Sequence, residues 1–129
     1  MLRDRHAALD AHPDALGRFD LAVLGAVLLH LRDPLRALEQ CARLADRVVV
    51  TDLHAPELDG SPLARLEPAP DSDNWDTWWR FSPELITQFL GVLGHEDATV
   101  SFHEQRHMHD GRVYPMPLFT VVASRSSPS

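Results

Sequence analysis

The first half of the chain alternates short continuous apolar runs with a helical repeat of apolar positions. The first run is Leu21, Ala22, Val23 and Leu24, and the second begins at Val48 and ends at Asp52. Such runs are typical of short strands buried on both faces. Between them, apolar residues recur at helical spacing. These are Leu31, Leu35, Leu38, Ala42 and Ala45.

This central helix has a clear start in the sequence. Asp33 can accept hydrogen bonds from the free amides of the first turn, and Pro34 suits the first helical position. The pattern therefore reads strand, helix, strand, which predicts a βαβ unit and a parallel sheet.

A second helix is predicted to begin at Ser82 and Pro83 by the same device. Its apolar face consists of Leu85, Ile86, Phe89, Leu90 and Leu93. Gly94 is placed to end the helix in a left-handed conformation.

The end of the chain predicts a pair of antiparallel strands. Ala98, Val100 and Phe102 alternate with polar residues, and residues 118–123 form another apolar run. Asp110 and Gly111 between them are a turn signal. The fold class expected is therefore α/β, with a parallel sheet that ends in an antiparallel hairpin.

Residues 55–76 are polar and rich in proline, and we expect a lid, a binding loop or disorder there. The length predicts one domain. We expect residues 1–17 to form an N-terminal segment with a weak helical pattern before Pro13, residues 18–125 to form the α/β domain, and residues 126–129 to form a disordered tail.

The charge and the cysteine content exclude several function classes. A net charge of −7 argues against a nucleic-acid partner. The single cysteine, Cys41, excludes a disulfide framework and a cysteine metal site. The sequence has neither a membrane-length apolar run nor a signal-peptide core, so we expect a cytoplasmic protein with no membrane partner.

Several segments resemble, in order and spacing, the carboxyl-terminal part of class I S-adenosylmethionine-dependent methyltransferases. They are residues 17–20 (GRFD), 25–34 (GAVLLHLRDP), 37–39 (ALE), 78–83 (WWRFSP) and 93–96 (LGHE). His95 departs from the aromatic residue usual in the family. The resemblance implies an incomplete Rossmann-like methyltransferase sheet with helices packed on it.

The front of the family pattern is missing from this sequence. The family holds its cofactor on a glycine-rich loop after the first strand, and this chain has no G-x-G-x-x-G motif. The resemblance implies a truncated methyltransferase-like domain whose cofactor would be S-adenosylmethionine. The missing loop argues against binding of that cofactor by this chain alone.

The resemblance also implies site residues near the first strand. His30 lies where an imidazole could act as a general base toward a small-molecule or other nucleophile. The alternative is a structural histidine bonded to backbone near the helix start. Gly25 and Ala26 match positions beside the methionine end of the cofactor, although Gly25 could simply permit a sharp turn.

The tryptophans beside the long loop are substrate-site candidates. Trp78 and Trp79, with Trp75 nearby, could wall a substrate pocket, or they could fill the gap between the second helix and the sheet. Arg80 could hold an anionic substrate group, or it could be a solvated surface residue.

A histidine cluster near the turn suggests a metal-dependent protein as a further hypothesis. His107 and His109 would share one face of a strand, with His103 and Asp110 nearby. Their spacing fixes no cysteine or carboxylate ligand, so no metal site is predicted.

Without the family's first strands, the run of Leu21, Ala22, Val23 and Leu24 becomes an edge strand. An apolar edge without Lys or Pro is a template for strand pairing, which predicts a homodimer formed through this edge. The alternative function is therefore a non-catalytic dimerising interaction module derived from the methyltransferase fold.

Overall fold

The computed structural model describes residues 17–73 and 76–126. The predicted helix before Pro13, Trp75 and most of the predicted tail lie outside these ranges. In the described ranges the helices and strands follow in this order: β1 Phe19–Gly25, α1 Pro34–Leu44, β2 Ala45–Leu53, β3 Ala64–Leu66, β4 Trp79–Phe81, α2 Pro83–Val92, β5 Asp97–His109 and β6 Arg112–Ser124.

The main sheet has four strands in the order β1-β2-β6-β5. β1 and β2 run parallel, with Val23 opposite Val49, so the predicted βαβ unit is confirmed. β6 runs antiparallel to both β2 and β5. The predicted fold class is therefore confirmed, with β1 at one edge of the sheet.

α1 begins as the sequence predicts. An Asp33 carboxylate oxygen accepts from the backbone N–H of Arg36 at 3.2 Å, and Pro34 occupies the first turn. Leu38 is buried on the sheet side of the helix. The predicted face is wrong at both ends, because Leu31 precedes the helix and Ala45 belongs to β2.

α2 is held at both ends by the residues that the sequence identifies. The Ser82 hydroxyl accepts from the backbone N–H of Leu85, and Ile86 and Leu90 are fully buried. Gly94 has φ +102°, and the next amide, of His95, donates to the Leu90 carbonyl at 2.9 Å. This is the left-handed helix end that glycine favours.

The β5–β6 hairpin is longer than predicted. Asp110 and Gly111 both have positive φ, at 52° and 74°, as expected for a tight two-residue hairpin turn. The strands pair from Asp97 opposite Ser124 to His109 opposite Arg112. Since β2 ends at Leu53, the outer part of the hairpin is a two-stranded ribbon with exposed side chains.

One face of the sheet carries the core. Val48, Val50, Phe119 and Val121 are fully buried in a cluster with residues of both helices. Ser82, the N-cap residue of α2, is also fully buried.

The opposite face of β1 is uncovered in the described ranges. Phe19, Leu21 and Val23 are 48%, 49% and 64% exposed. The prediction that this strand is buried on both faces is wrong, because β1 is an edge strand and both described helices pack on the other face.

The long polar segment contains ordered structure. A 3-10 turn spans Pro56–Leu58, and β3 pairs antiparallel with β4, with Leu66 opposite Trp79. Disorder is therefore wrong for this part of the segment. Neither described helix has the length and apolarity needed to cross a membrane.

Candidate functional site

The carboxyl ends of β1 and β2 meet beside the segment that leads into β4. A 3-10 turn, Leu28–His30, follows β1. The backbone N–H of Trp78 donates to the Leu29 carbonyl at 2.7 Å. This bond joins the two segments that carry the predicted catalytic and substrate residues, and crevices at the carboxyl ends of parallel strands are common ligand sites.

His30 is exposed at the end of the 3-10 turn. Its Nδ1 lies 2.5 Å from the backbone carbonyl oxygen of Asp76. Because a carbonyl oxygen can only accept, Nδ1 carries the proton and, in the neutral ring, Nε2 keeps its lone pair. The ring is therefore both anchored to backbone, as the structural interpretation expects, and equipped to accept a proton.

Gly25 and Ala26 lie at the exposed carboxyl end of β1. The Ala26 amide donates to the Thr51 carbonyl at 2.8 Å, which continues the pairing with β2. The residue with positive φ is Ala26, at +52°. The alternative interpretation places the sharp turn at Gly25 instead. A Cβ built on Gly25 would meet no atom within 4 Å, so the space beside this backbone is open to a ligand.

The two tryptophans have different surroundings. The Arg32 guanidinium lies over the Trp78 ring, 5.0 Å from its centroid. Trp79 packs against the core and lines an apolar pocket of about 210 Å³ between the start of α1 and the β3–β4 pair. Its indole Nε1 is buried without a hydrogen-bond partner among the described residues. Trp79 therefore serves packing and also borders a pocket.

Arg80 is half-buried rather than a solvated surface residue. Its Nε lies 3.3 Å from a carboxylate oxygen of Glu67, which also pairs with Arg65 at 3.1 Å. One terminal nitrogen of Arg80, Nη1, is buried without a hydrogen-bond partner in the described ranges. The Arg80 side chain thus forms an ion pair with a residue of the same chain.

Asp52 is the site residue that the sequence analysis missed. It is the penultimate residue of β2, is 2% exposed, and accepts from the Leu53 amide at 2.8 Å through Oδ1. Its Oδ2 is buried without a partner among the described residues. The sequence signal for it is an acid two residues after the run of three valines in β2.

Burial raises the pKa of the Asp52 carboxyl to about 6, against the opposing effects of the Leu53 amide and the charges of Arg80 and His30. The charges of both side chains thus act on the Asp52 carboxylate. The structure therefore brings together Asp52, His30 and Arg80 at one end of the sheet.

His107 and His109 lie at the carboxyl end of β5, next to the hairpin turn. The rings of His107 and His109 stack at 6.3 Å, and His109 lies 3.3 Å from the Asp110 carboxylate. In the described ranges no group of three or more His, Cys, Asp or Glu side chains is arranged to hold a metal ion.

Comparison with solved structures identifies the fold. The N-terminal domain of EvdMO1, crystallised in the presence of S-adenosylhomocysteine and D-fucose, matches with TM-score 0.59 and 19% identity, over 92% of this chain and 52% of that one. The same domain with S-adenosylhomocysteine bound matches at 0.59 and 18%, over 92% and 51%. A candidate methyltransferase from Bacillus halodurans matches at 0.52 and 11%, over 85% and 65%.

These likenesses show a methyltransferase-like α/β fold. The chain spans about half the length of the EvdMO1 N-terminal domain. No protein-family profile and no curated protein sequence matches this chain.

Proposed function

We propose that this chain belongs to a methyltransferase domain that uses S-adenosylmethionine, and that the crevice at the carboxyl ends of β1 and β2 is its reaction site. One observation carries the proposal. Gly25 pairs with Thr51 beside Asp52, and the charges of His30 and Arg80 act on Asp52, so β1, the turn after it and β4 meet at one end of a sheet whose fold matches domains crystallised with S-adenosylhomocysteine.

Gly25 and Ala26 would form one wall of the cofactor site. Both are exposed, and the space beside Gly25 is open. When bound there, S-adenosylmethionine supplies an electrophilic methyl group. The residues present fit one side of such a ligand, and we expect this wall alone to give weak binding because the sequence has no G-x-G-x-x-G motif.

His30 would act on the acceptor as a general base. Its Nδ1 proton is committed to the Asp76 carbonyl, so Nε2 is the atom that can take a proton from an acceptor hydroxyl. Trp78 and Trp79 would limit the width of the site.

We propose a small hydroxylated molecule as the acceptor. Two observations support this. An imidazole with a free lone pair can act as a general base and remove the proton of a hydroxyl group, and the matching EvdMO1 domain was crystallised in the presence of D-fucose.

Calorimetric titration with S-adenosylhomocysteine tests the cofactor proposal. We expect weak binding, with a Kd of about 0.1–1 mM, that is, about 4–5.5 kcal/mol. Gly25→Val should abolish it by filling the open space. A Cβ built on Gly91, in α2, would also meet no atom within 4 Å, so Gly91→Ala serves as the control. Absence of heat at several millimolar ligand would contradict the proposal.

A second candidate function is a dimerising module. β1 is an edge strand with three apolar side chains exposed on its uncovered face. Antiparallel pairing of two copies about Ala22 would place Leu21 opposite Val23 of the second copy. It would also place Asp20 opposite Leu24, so that the two carboxylates do not face each other.

Sedimentation velocity at micromolar concentration separates the two candidates. A dimer that binds no S-adenosylhomocysteine favours the module, and a monomer that binds it favours the methyltransferase. If the chain is a monomer whose β1 edge pairs with a strand of a different protein, pairing between two copies of this chain is contradicted.

A further inference from the structure

The positive charge of Arg80 is partly balanced by two carboxylates. Its Nε lies 3.3 Å from the Glu67 carboxylate, and its charge acts on the buried Asp52 carboxylate. An arginine that binds a substrate anion must present its donors to open solvent or to the ligand. Here the side chain is only 27% exposed and the paired Glu67 side chain equally so.

Asp52 keeps its negative charge under ordinary conditions. The pKa of its carboxyl is about 6, so the group is mostly ionised at pH 7.5. The groups that face it are Arg80 from β4 and His30 from the turn after β1. Its Oδ1 accepts from the Leu53 amide, whereas its Oδ2 has no hydrogen-bond partner among the described residues.

The segment next to the site adds further negative charge. Residues 57–76 contain six acidic residues and a single basic one, Arg65. That arginine is already shared between Glu57 and Glu67, at 2.8 and 3.1 Å. The segment is tied to the site because the Asp76 carbonyl accepts from His30.

We propose that this crevice, if it is the acceptor site of the proposed function, selects against anionic acceptors and takes hydroxylated molecules that carry no phosphate or carboxylate. The acidic side chains repel an anion. Glu67 and Asp52 also offset the positive charge of Arg80, which would otherwise attract the anion. Arg80 therefore shapes the site and balances its charge instead of binding a substrate anion.

A matched pair of sugars tests this proposal directly. D-Glucose and D-glucose 6-phosphate are titrated into ¹⁵N-labelled protein at pH 7.5, and the Trp78 and Trp79 indole signals are followed. We expect D-glucose to bind at least about fivefold more tightly than its phosphate ester. Raising the salt concentration should narrow this ratio, because screening weakens the repulsion.

Two variants test the cause of the selection. Glu67→Gln releases Arg80, and Asp52→Asn removes the buried charge with little change of shape. Each should improve D-glucose 6-phosphate binding relative to D-glucose by several fold. Glu96→Gln removes an exposed acid at the other end of the sheet and should leave the ratio unchanged.

Three results would overturn the proposal. They are equal or tighter binding of the phosphate ester by the unmodified protein, an unchanged ratio in both site variants, and failure of both sugars to perturb the site. The titration with S-adenosylhomocysteine is independent of all three, so a wrong acceptor class is distinguishable from a wrong proposed function.

Discussion

The Nδ1 of His30 donates a hydrogen bond to the backbone carbonyl of Asp76, a residue far along the chain, at 2.5 Å. Together with the bond from the Trp78 amide to the Leu29 carbonyl, it fixes the 3-10 turn after β1 against the segment that enters β4. The candidate base is thus held by the same contact that positions the candidate substrate wall.

This contact predicts a difference between two substitutions of His30. His30→Asn keeps a donor near the position of Nδ1, whereas His30→Ala removes it. We expect hydrogen exchange of the Trp78 amide to be close to normal in the Asn variant and about fivefold faster in the Ala variant, because a lost bond of this kind costs about 1 kcal/mol. Equal exchange rates in the two variants would show that the contact does not hold the segment.

The raised pKa of Asp52 predicts how stability depends on pH. The pKa is about 6 in the folded protein and 3.8 for an ordinary aspartate, so the folded state binds the proton more tightly. The free energy of unfolding should therefore fall as pH rises from about 4 to 7, by up to about 3 kcal/mol from this group.

Asp52→Asn isolates this contribution. The amide oxygen can still accept from Leu53, and no charge is buried. We expect urea unfolding to show the variant more stable than the unmodified protein at pH 8 and similar to it at pH 4. Parallel pH profiles for the two proteins would mean that Asp52 does not titrate as the structure indicates.

The two helix caps should differ in their contribution to stability. The Ser82 hydroxyl accepts from the Leu85 and Leu63 amides and donates to the Ser61 carbonyl, all at zero exposure of the residue. Ser82→Ala leaves these groups unpaired and should cost about 2–4 kcal/mol. Asp33→Ala removes one exposed cap bond and should cost about 1 kcal/mol. Denaturant unfolding of the two variants checks the order, and a smaller loss for Ser82→Ala would refute it.

The uncovered edge predicts a matched pair of lysine substitutions. Val23 is 64% exposed on β1 and Val92 is 77% exposed on α2. If two copies pair through β1, Val23→Lys should convert the dimer to a monomer, because charge on an edge strand opposes pairing. Val92→Lys should leave the dimer intact. Sedimentation velocity decides, and a dimer that survives Val23→Lys excludes this edge as the interface.

Local sequence signals determine most of the fold. Asp33, Ser82 and Gly94 mark helix ends through cap hydrogen bonds within five residues along the chain, and all three are found where the sequence predicts. The exposure of Leu21 and Val23 could not be found in the same way. An apolar run indicates burial in some sheet, whereas the actual burial depends on which elements cover each face.

The site was only partly predictable for a related reason. His30, Trp79 and Arg80 are identified by residue type and by resemblance, but their contacts join segments distant in sequence. The role of Arg80 changes because Glu67 lies beside it, and Asp52 becomes notable only when its burial and its unpaired oxygen are seen. Interactions of this kind depend on tertiary packing and leave little trace in a local pattern.

The most direct test of the central proposal is a ¹H–¹⁵N correlation spectrum recorded during titration with S-adenosylhomocysteine. We expect progressive shifts of the Gly25, Ala26 and His30 amides, with Gly111 at the hairpin turn unchanged. Unshifted amides at the end of β1 with millimolar ligand, or shifts confined to another part of the chain, would contradict it.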